Sequence, residues 1–305
     1  HTKFDIDIAK RVALHGFRKI AMRFLLENIN AADEVWVVTE GCAQSLRDVG
    51  YRGNYMVMEN GTDFRYGRAA PEQVEALKDK YGIKEDEFVF LFVGRMMWYK
   101  GLKVIADALA MQKAAGVDYR MVFVGSGAEL EAFQRYIVRI GIMDKCIFTG
   151  SIHDRELLRA WYCRADLFLF PSTFDTNGLV VREAAACSLG SVLIGGSCAA
   201  EGITDGVNGL LIEENAESMS ACLTRVLQQP GIMQQIGKNA ARDLYLSWND
   251  AVHSAMSRYE IVIDRYRSRQ RPTHQEPMEQ LLNAAGVLME DLAQLPNLFS
   301  PHQEE

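Results

Sequence analysis

LFLFPSTFDTNGLVVREAAA, residues 167–186, joins a short apolar run, a polar loop and a helix-forming segment. The run LFLF, residues 167–170, is apolar at every position, which is typical of a strand buried on both faces of a sheet. The segment 179–189 predicts the helix that follows the loop. A strand, a loop and a helix in this order form the repeating unit of a parallel α/β sheet.

The same unit recurs along residues 88–194. Further strands are predicted at 88–93, 119–124, 145–149 and 191–194, and amphipathic helices near 102–115, 128–140 and 154–164. Apolar strands that alternate with helices indicate a parallel sheet covered on both faces, so the sequence predicts a Rossmann-type domain. Ligands of such domains bind beyond the carboxyl ends of the strands, where we expect four loops to converge. These loops are 94–101, 124–129, 149–154 and 171–178.

The flanking segments have a different pattern. Residues 1–66 predict a helix at about 8–29, a strand at 34–39, a helix at about 41–48 and a strand at 55–61. Residues 231–269 predict two helices broken near 247–250, and apolar residues at helical spacing predict another at about 277–295. The predicted organisation is a partial N-terminal Rossmann-like domain over 1–66, a complete C-terminal one over 67–247, and helices with a helical tail over 248–305.

The loop at 171–178 carries the chemistry that points to a ligand. Asp175 and Glu183 lie eight residues apart, and Asn177-Gly178 ends the loop where the helix begins. Asp175 in the loop can accept hydrogen bonds from sugar hydroxyls, and the single carboxylate of Glu183 can pair with both hydroxyls of a ribose. The free N–H groups at the helix start favour a phosphate, and they belong to Gly178, Leu179 and Val180. A nucleotide-sugar carries all these groups, whereas a helix cap plus one buried, paired Glu is the purely structural alternative.

A second motif, GRMMWYKG at 94–101, places Arg95 and Lys100 just after the strand 88–93, with Gly94 at the junction. Two cations at a strand end suit a diphosphate, since Arg offers a planar fork and Lys a compact point charge. A departing diphosphate gains negative charge, so fixed cations there lower the barrier of a transfer reaction. Solvated surface charges are the structural alternative.

Two further loops are expected at the same edge of the sheet. VGSGAE at 124–129 makes a tight turn, and Gly125 is predicted to line the crevice. TGSIHD at 149–154 offers backbone groups around Ser151 and Ile152, which can hydrogen-bond the edge of a flat base.

Composition limits the classes of function. The chain of 305 residues has 49% hydrophobic and 24% charged residues, as ordinary globular proteins do. Its net charge of −7 argues against nucleic acid as the main partner. The six cysteines are scattered, which indicates a reduced, cytoplasmic protein without a disulfide framework or a zinc site. We predict neither a metal nor a cofactor, and the sequence leaves the oligomeric state open.

The helix predicted at about 8–29 has two interpretations. Basic amphipathic helices bind anionic lipid, which would place the protein peripherally at the inner membrane surface. An ordinary domain helix, with its apolar face in a core, is favoured because the apolar residues fill only one side. The basic residues of the broad polar face are Lys10, Arg11, Arg18, Lys19 and Arg23.

In this order, GRMMWYKG, VGSGAE, FTGSI, DTNGLVVREAAA and EGITDGVNGLLIEEN (201–215) resemble family 4 of the retaining glycosyltransferases, which have the GT-B fold. The resemblance extends from His1 to about Arg269. It implies transfer of a hexose from a nucleotide-diphosphate sugar, with a UDP-sugar favoured by family frequency, to a glycan or lipid acceptor without a bound metal.

The resemblance also implies roles for single residues. The family's E-x7-E pair, which contacts the donor, corresponds to Asp175 and Glu183, and its Arg and Lys on the donor diphosphate correspond to Arg95 and Lys100. A His near the reacting sugar corresponds to His1, and an Asn-Gly-Val-Asp element corresponds to residues 60–63. The chain departs from the family where Asp175 is one methylene shorter than Glu and where Asn177-Gly178 replaces Phe-Gly.

Part of the family's length has no counterpart here. On the order of 100 residues of an N-terminal Rossmann domain are expected before His1, and in the family they carry a glycine-rich loop and much of the acceptor site. The alternative function is therefore a non-catalytic chain that binds a nucleotide-sugar or acts as a scaffold.

Overall fold

The computed structural model of the protein describes residues 15–229 and 231–268. These residues form two compact units. The smaller unit comprises residues 15–37, 42–57 and 255–268, and the larger comprises 38–41, 58–229 and 231–254.

The described elements alternate between helices and strands over most of the chain. The helices are α1 (His15–Asn30), α2 (Glu40–Asp48), α3 (Pro71–Tyr81), α4 (Leu102–Ala114), α5 (Leu130–Arg139), α6 (Arg155–Arg164), α7 (Leu179–Ala186), α8 (Ala216–Leu227), α9 (Ile232–Leu244) and α10 (Trp248–Ser268). The strands are β1 (Val35–Val37), β2 (Tyr55–Val57), β3 (Phe88–Val93), β4 (Tyr119–Val124), β5 (Cys146–Gly150), β6 (Leu167–Phe170), β7 (Ser191–Ile194) and β8 (Leu210–Ile212).

The larger unit is built on a six-stranded parallel sheet in the order β5-β4-β3-β6-β7-β8. On one side of the sheet the strands run outward in chain order from β3 to β4 and β5, and on the other side from β6 to β7 and β8. The direction of the strand order therefore reverses between β3 and β6. This is the strand order of a doubly wound Rossmann-type domain. The reversal leaves a crevice beyond the carboxyl ends of β3 and β6.

Continuous apolar runs explain why these strands lie in the centre of the unit. Every residue of β6 and β7 is buried, and β3 is buried from Val89 to Val93. Aromatic side chains of neighbouring strands meet there, as in the stacked rings of Phe92 and Phe170. Helices pack side by side around the sheet in the pairs α4 with α8, α3 with α6, and α7 with α9.

Local sequence sets where the helices begin. The Asp154 carboxylate accepts hydrogen bonds from the N–H groups of Glu156 and Leu157, at 2.9 and 3.1 Å, and so caps α6. Asn215 caps α8 by accepting the N–H of Ser218 at 2.7 Å. These side chains satisfy backbone donors that have no partner within the helix.

The smaller unit contains β1 and β2, which pair in parallel. Its core holds Val37, Ala43, Leu46 and Tyr51, with Leu26 and Ile29 of α1 among the side chains packed against it. In α10, Arg258 donates to Glu34 at 2.6 Å, and this hydrogen bond lowers the pKa of the Glu34 carboxyl below its ordinary value in spite of the opposing effect of burial.

The predicted strands and helices of residues 88–194 are confirmed within one to three residues at their ends. The sequence prediction was wrong in other places, because it extended the strand β2 to residue 61, did not predict the helices α3 and α8, and missed β8. That strand is only three residues long, LLI, so it shows no periodicity of its own, and it becomes a strand through its pairing with β7. The break predicted near 247–250 separates α9 from α10.

Other sequence predictions concern residues that the structure does not describe. These are the N-terminal part of the helix at about 8–29 and the helix at about 277–295. The domain boundaries at 66/67 and 247/248 stay predictions, and the compact units group residues 58–66 with the larger unit and 255–268 with the smaller one. Of the helices within residues 15–229 and 231–268, none has both the length and the apolar character to span a membrane.

Candidate functional site

The crevice at the strand-order reversal is the centre of the candidate site. The loop after β3 carries Arg95 and Lys100, and the loop after β6 carries Asp175 and leads into α7. Because β3 and β6 are hydrogen-bonded neighbours, both loops leave the sheet at the same edge. The topology therefore places the two principal motifs next to each other.

An ion pair joins these two loops. The Lys100 ammonium lies 2.6 Å from Asp175 Oδ1, and the side chains are only 8% and 19% exposed. The ammonium also lies over the rings of Tyr99 and Phe170, at 5.6 and 5.7 Å from their centroids. The sequence predicted a separate ligand for each charge and did not predict this pair.

The two loops also meet through their backbones at Gly101. This residue ends a short 3-10 turn over Trp98–Lys100 with a φ of 77°, a conformation that suits glycine. A Cβ atom at this position would overlap the carbonyl oxygen of Pro171. Glycine is therefore required for the close approach that brings Lys100 to Asp175.

Arg95 is exposed, in contrast to Lys100. Its guanidinium lies 5.8 Å from the centroid of the Tyr99 ring, and Tyr99 in turn contacts Phe174 of the other loop. The aromatic rings thus support a cation that faces solvent at the mouth of the crevice.

A cavity of about 210 Å³ lies beside Arg95 at the ends of β3, β4 and β5. Its lining brings together five residues that the sequence placed at one site: Gly94, Arg95, Gly125, Ser151 and Ile152. The hydroxyls of Ser126 and Ser151 are hydrogen-bonded to each other at 2.8 Å within it. Lys100, Asp175 and Glu183 are not part of this lining, so the cavity forms one section of the crevice.

A larger cavity, of about 460 Å³, lies away from these motifs and includes Arg68, Cys163 and Asp166 in its lining. Asp166 precedes β6, so this cavity is at the amino-terminal edge of the sheet. Chemistry and topology, rather than size, identify the candidate site.

Several polar atoms in the loop after β6 are buried without a hydrogen-bond partner among the described residues. They are Ser172 Oγ, Asp175 Oδ2, and both Oδ1 and Nδ2 of Asn177. Leaving a buried polar atom unpaired costs on the order of 1–3 kcal/mol. A ligand or water with hydroxyl groups would satisfy these atoms, and Asn177 supplies both a donor and an acceptor where the family resemblance implies a Phe.

Glu183 lies in the second turn of α7 and is held by two side chains. Its Oε2 accepts a hydrogen bond from the Tyr162 hydroxyl at 2.9 Å, and its Oε1 accepts one from Arg155 at 3.3 Å. Arg155 also pairs with Asp63 at 2.6 Å. Burial raises the pKa of the Glu183 carboxyl, and the Tyr162 hydrogen bond and the Arg155 charge oppose this shift.

These contacts of Glu183 were not predicted from the sequence. Tyr162 and Arg155 belong to α6, 21 and 28 residues before Glu183 in the chain. The sequence held one indication, because the element at residues 60–63 was assigned to the family pattern and its Asp63 is the second partner of Arg155. No local spacing rule connects α6 with α7, which become neighbours only through the sheet topology.

The remaining predicted residues lie where α7 begins. Gly178 precedes the helix, Leu179 is 40% exposed, and Val180 is partly buried. The Thr39 hydroxyl donates to the Thr176 carbonyl at 2.8 Å and holds the end of the loop. Among the described residues, no cluster of three or more His, Cys, Asp or Glu side chains is placed to hold a metal ion. His1 lies outside the described residues.

The fold and the site define an α/β protein of the GT-B type, with a crevice at the switch point of a parallel sheet. The chain belongs to the family of glycosyl transferases group 1, whose model matches residues 73–243, more than half of the chain. The match covers all the predicted site residues except His1.

Curated relatives share about a quarter to a third of their residues with this chain. The alpha-monoglucosyldiacylglycerol synthase of Acholeplasma laidlawii is 26% identical over 243 residues, which are 79% of this chain and 61% of that protein. The D-inositol 3-phosphate glycosyltransferase of Mycobacteroides abscessus is 31% identical over 215 residues, which are 67% of this chain and 46% of that protein. The chain thus spans about half to three fifths of the length of these relatives.

Solved structures show the same fold. Anabaena HepE, solved in complex with UDP and glucose, superposes with a TM-score of 0.69 at 20% identity, over 81% of this chain and 67% of that one. Identity at this level establishes the fold and no more.

Proposed function

We propose that the protein transfers a hexose from a nucleotide-diphosphate sugar, with UDP-hexose favoured, to an acceptor hydroxyl, and that the anomeric configuration is retained as in family 4. The observation that carries this proposal is that the loops after β3 and β6 meet at the switch point, where Lys100 pairs with Asp175 and the second loop leads into the helix that carries Glu183. The UDP and glucose bound to HepE support the choice of donor, and the glucosyl group in the name of the Acholeplasma relative supports a hexose.

Each part of the donor has chemically suitable residues in the crevice. The diphosphate would lie between the N–H groups at the start of α7 and the cations Arg95 and Lys100. The ribose diol would pair with Glu183, and the base would lie in the cavity beside Ser151 and Ile152. The hexose would face Asp175 and Asn177, whose unpaired polar atoms its hydroxyls can satisfy.

The reaction would break the bond between C1 of the hexose and the diphosphate oxygen and join C1 to the acceptor oxygen, whose proton would pass to the leaving diphosphate. Negative charge develops on the diphosphate as it leaves. Lys100 is nearly buried, so its charge acts in a poorly screened environment where it stabilises a leaving anion more than it would in water. Arg95, the helix N-terminus and Lys100 together would do the work that a metal ion does in other transferases, and we propose that no metal or cofactor takes part.

A donor screen with product analysis tests the proposal. The chain is incubated with UDP- and GDP-hexoses and with saccharide and diacylglycerol acceptors, and products are sought by mass spectrometry. We expect release of the nucleoside diphosphate together with an acceptor heavier by one hexose. Tight donor binding without any product from any acceptor would favour the non-catalytic alternative.

Vesicle binding separates the two classes of acceptor. Leu26 and Ile29 of α1 pack against the core of the smaller unit, which supports an ordinary domain helix rather than a lipid-binding one. We therefore expect the chain to stay in the supernatant when phosphatidylglycerol vesicles are sedimented at low salt, and a saccharide to be the acceptor. Binding at low salt that disappears at high salt would instead support the lipid acceptor suggested by the Acholeplasma relative, since each basic residue contributes about 1 kcal/mol near such a surface.

A further inference from the structure

Tyr162 contacts Glu183 from inside the protein. Its hydroxyl lies 2.9 Å from Glu183 Oε2, and the residue itself has no exposed surface. The ring is fixed between aromatic neighbours, with Phe64 at 5.5 Å in an edge contact and Phe168 at 5.6 Å. A ring packed in this way holds its hydroxyl at a defined point.

The direction of the hydrogen bond follows from the burial. Burial raises the pKa of Tyr162 well above its ordinary value, and the nearby Glu183 charge acts in the same direction. The phenol therefore keeps its proton and donates a hydrogen bond to the carboxylate. One oxygen of Glu183 is thus fixed by a donor that does not leave when a ligand enters.

The other neighbour of Glu183 has a different character. The Arg155 side chain is 47% exposed and divides its guanidinium between Asp63 at 2.6 Å and Glu183 at 3.3 Å. A carboxylate offers about four acceptor positions, so a rigid Tyr162 and a weakly held Arg155 leave room for two hydroxyls of a ligand. Since Arg155 is half in solvent, it is the partner that a ligand can displace.

We propose that Tyr162 is a positioning residue that orients the Glu183 carboxylate toward the ribose diol of the donor. The proposal rests on the proposed function, because it takes a ribose as the ligand of Glu183. Its consequence is selectivity for ribonucleotides. With Tyr162 in place, a 2′-hydroxyl finds an aligned acceptor, and without it the carboxylate rotates and loses that alignment.

The test compares affinity for UDP and for 2′-deoxy-UDP by calorimetry in the wild-type chain, in Tyr162→Phe and in Tyr119→Phe. Tyr119 is a matched control because it is also fully buried and also donates one hydrogen bond, to the Leu109 carbonyl at 2.8 Å. We expect the wild-type chain and Tyr119→Phe to prefer UDP by about tenfold, the value of one charge-assisted hydrogen bond. Tyr162→Phe is expected to prefer UDP over 2′-deoxy-UDP by less than about threefold.

The ratio of the two affinities excludes a merely structural effect, which would weaken both ligands equally. An unchanged ratio in Tyr162→Phe, with the ratio lost in Glu183→Gln, would overturn the role of Tyr162 and leave the proposed function standing. A wild-type chain that binds neither nucleotide would overturn the proposed function itself. If Tyr162→Phe does not fold, 4-fluorophenylalanine at position 162 fills most of the volume of the hydroxyl without donating a hydrogen bond. The ratio of the affinities for UDP and 2′-deoxy-UDP in that variant then tests the role of Tyr162.

Discussion

Lys100→Met is expected to lower kcat by about 10²- to 10³-fold while KM for the donor changes less than tenfold, the range found when one transition-state charge stabiliser is removed. The physical reason is that the ammonium is 8% exposed, lies 2.6 Å from Asp175 and, in the proposed function, would face the departing diphosphate. Its attraction grows as the leaving group gains charge. Steady-state kinetics with the donor identified by the screen measures both constants.

The control is Lys145→Met. Lys145 also forms an ion pair, with Asp118, but it precedes β5 at the opposite edge of the sheet. The kcat of Lys145→Met should stay within about twofold of the wild-type value, because a partly exposed ion pair contributes only about 1 kcal/mol or less to stability. A Lys100 variant that raises KM and leaves kcat unchanged would place the lysine in ground-state binding and contradict its role in the reaction.

Lys100→Met also leaves Asp175 as a mostly buried charge without its partner. Breaking such a pair from one side destabilises by about 3–5 kcal/mol when both groups are deeply buried, and less at this exposure. The double variant Lys100→Met/Asp175→Asn removes the stranded charge and is expected to recover part of the stability without recovering turnover. Urea denaturation beside the kinetics separates the two effects.

Gly101→Ala is expected to lower the free energy of unfolding by about 2–5 kcal/mol and to abolish donor binding. About 1–2 kcal/mol comes from a non-glycine residue at positive φ, and a further ~1–3 kcal/mol from overlap with the Pro171 carbonyl. The overlap separates the loops that carry Lys100 and Asp175. Denaturation monitored by circular dichroism gives the change in stability.

Gly116→Ala isolates the contribution of the overlap. Gly116 has a φ of 80°, close to the 77° of Gly101, and a Cβ there meets nothing within 4 Å. Gly116→Ala should lower the free energy of unfolding only by the strain of the positive φ, about 1–2 kcal/mol, and should leave ligand binding intact. Equal losses in the two variants would show that the contact between the loops does not hold the site together.

The sequence predicted much of this fold because its strongest signals are local. FVFLFV and LFLF are apolar at every position, and the helices between strands have clear amphipathic spacing, so β3, β6 and their neighbours follow from pattern alone. The strand β8 escaped prediction since three residues carry no period, and only the edge of β7 makes them a strand.

The site was predicted in composition but not in its pairings. The sequence named Lys100, Asp175 and Glu183, whereas the ion pair of the first two and the contacts of the third depend on tertiary packing. Lys100 and Asp175 are 75 residues apart, and Tyr162 reaches Glu183 from a different helix. Such contacts leave no spacing in the sequence, because the topology of the sheet and not the distance along the chain brings them together.

We propose above all that the switch-point crevice holds a nucleoside diphosphate through Glu183. Calorimetric titration of UDP and GDP into the wild-type chain, Glu183→Ala and Glu87→Ala measures whether Glu183 holds the nucleotide. Glu87 is a matched control, since it is a buried glutamate that pairs with Arg120 at the opposite, amino-terminal edge of β3. We predict that the wild-type chain and Glu87→Ala bind one of the two nucleotides at a single site, and that Glu183→Ala binds it at least tenfold more weakly. Equal affinity in the wild-type chain and Glu183→Ala would show that Glu183 does not hold the nucleotide.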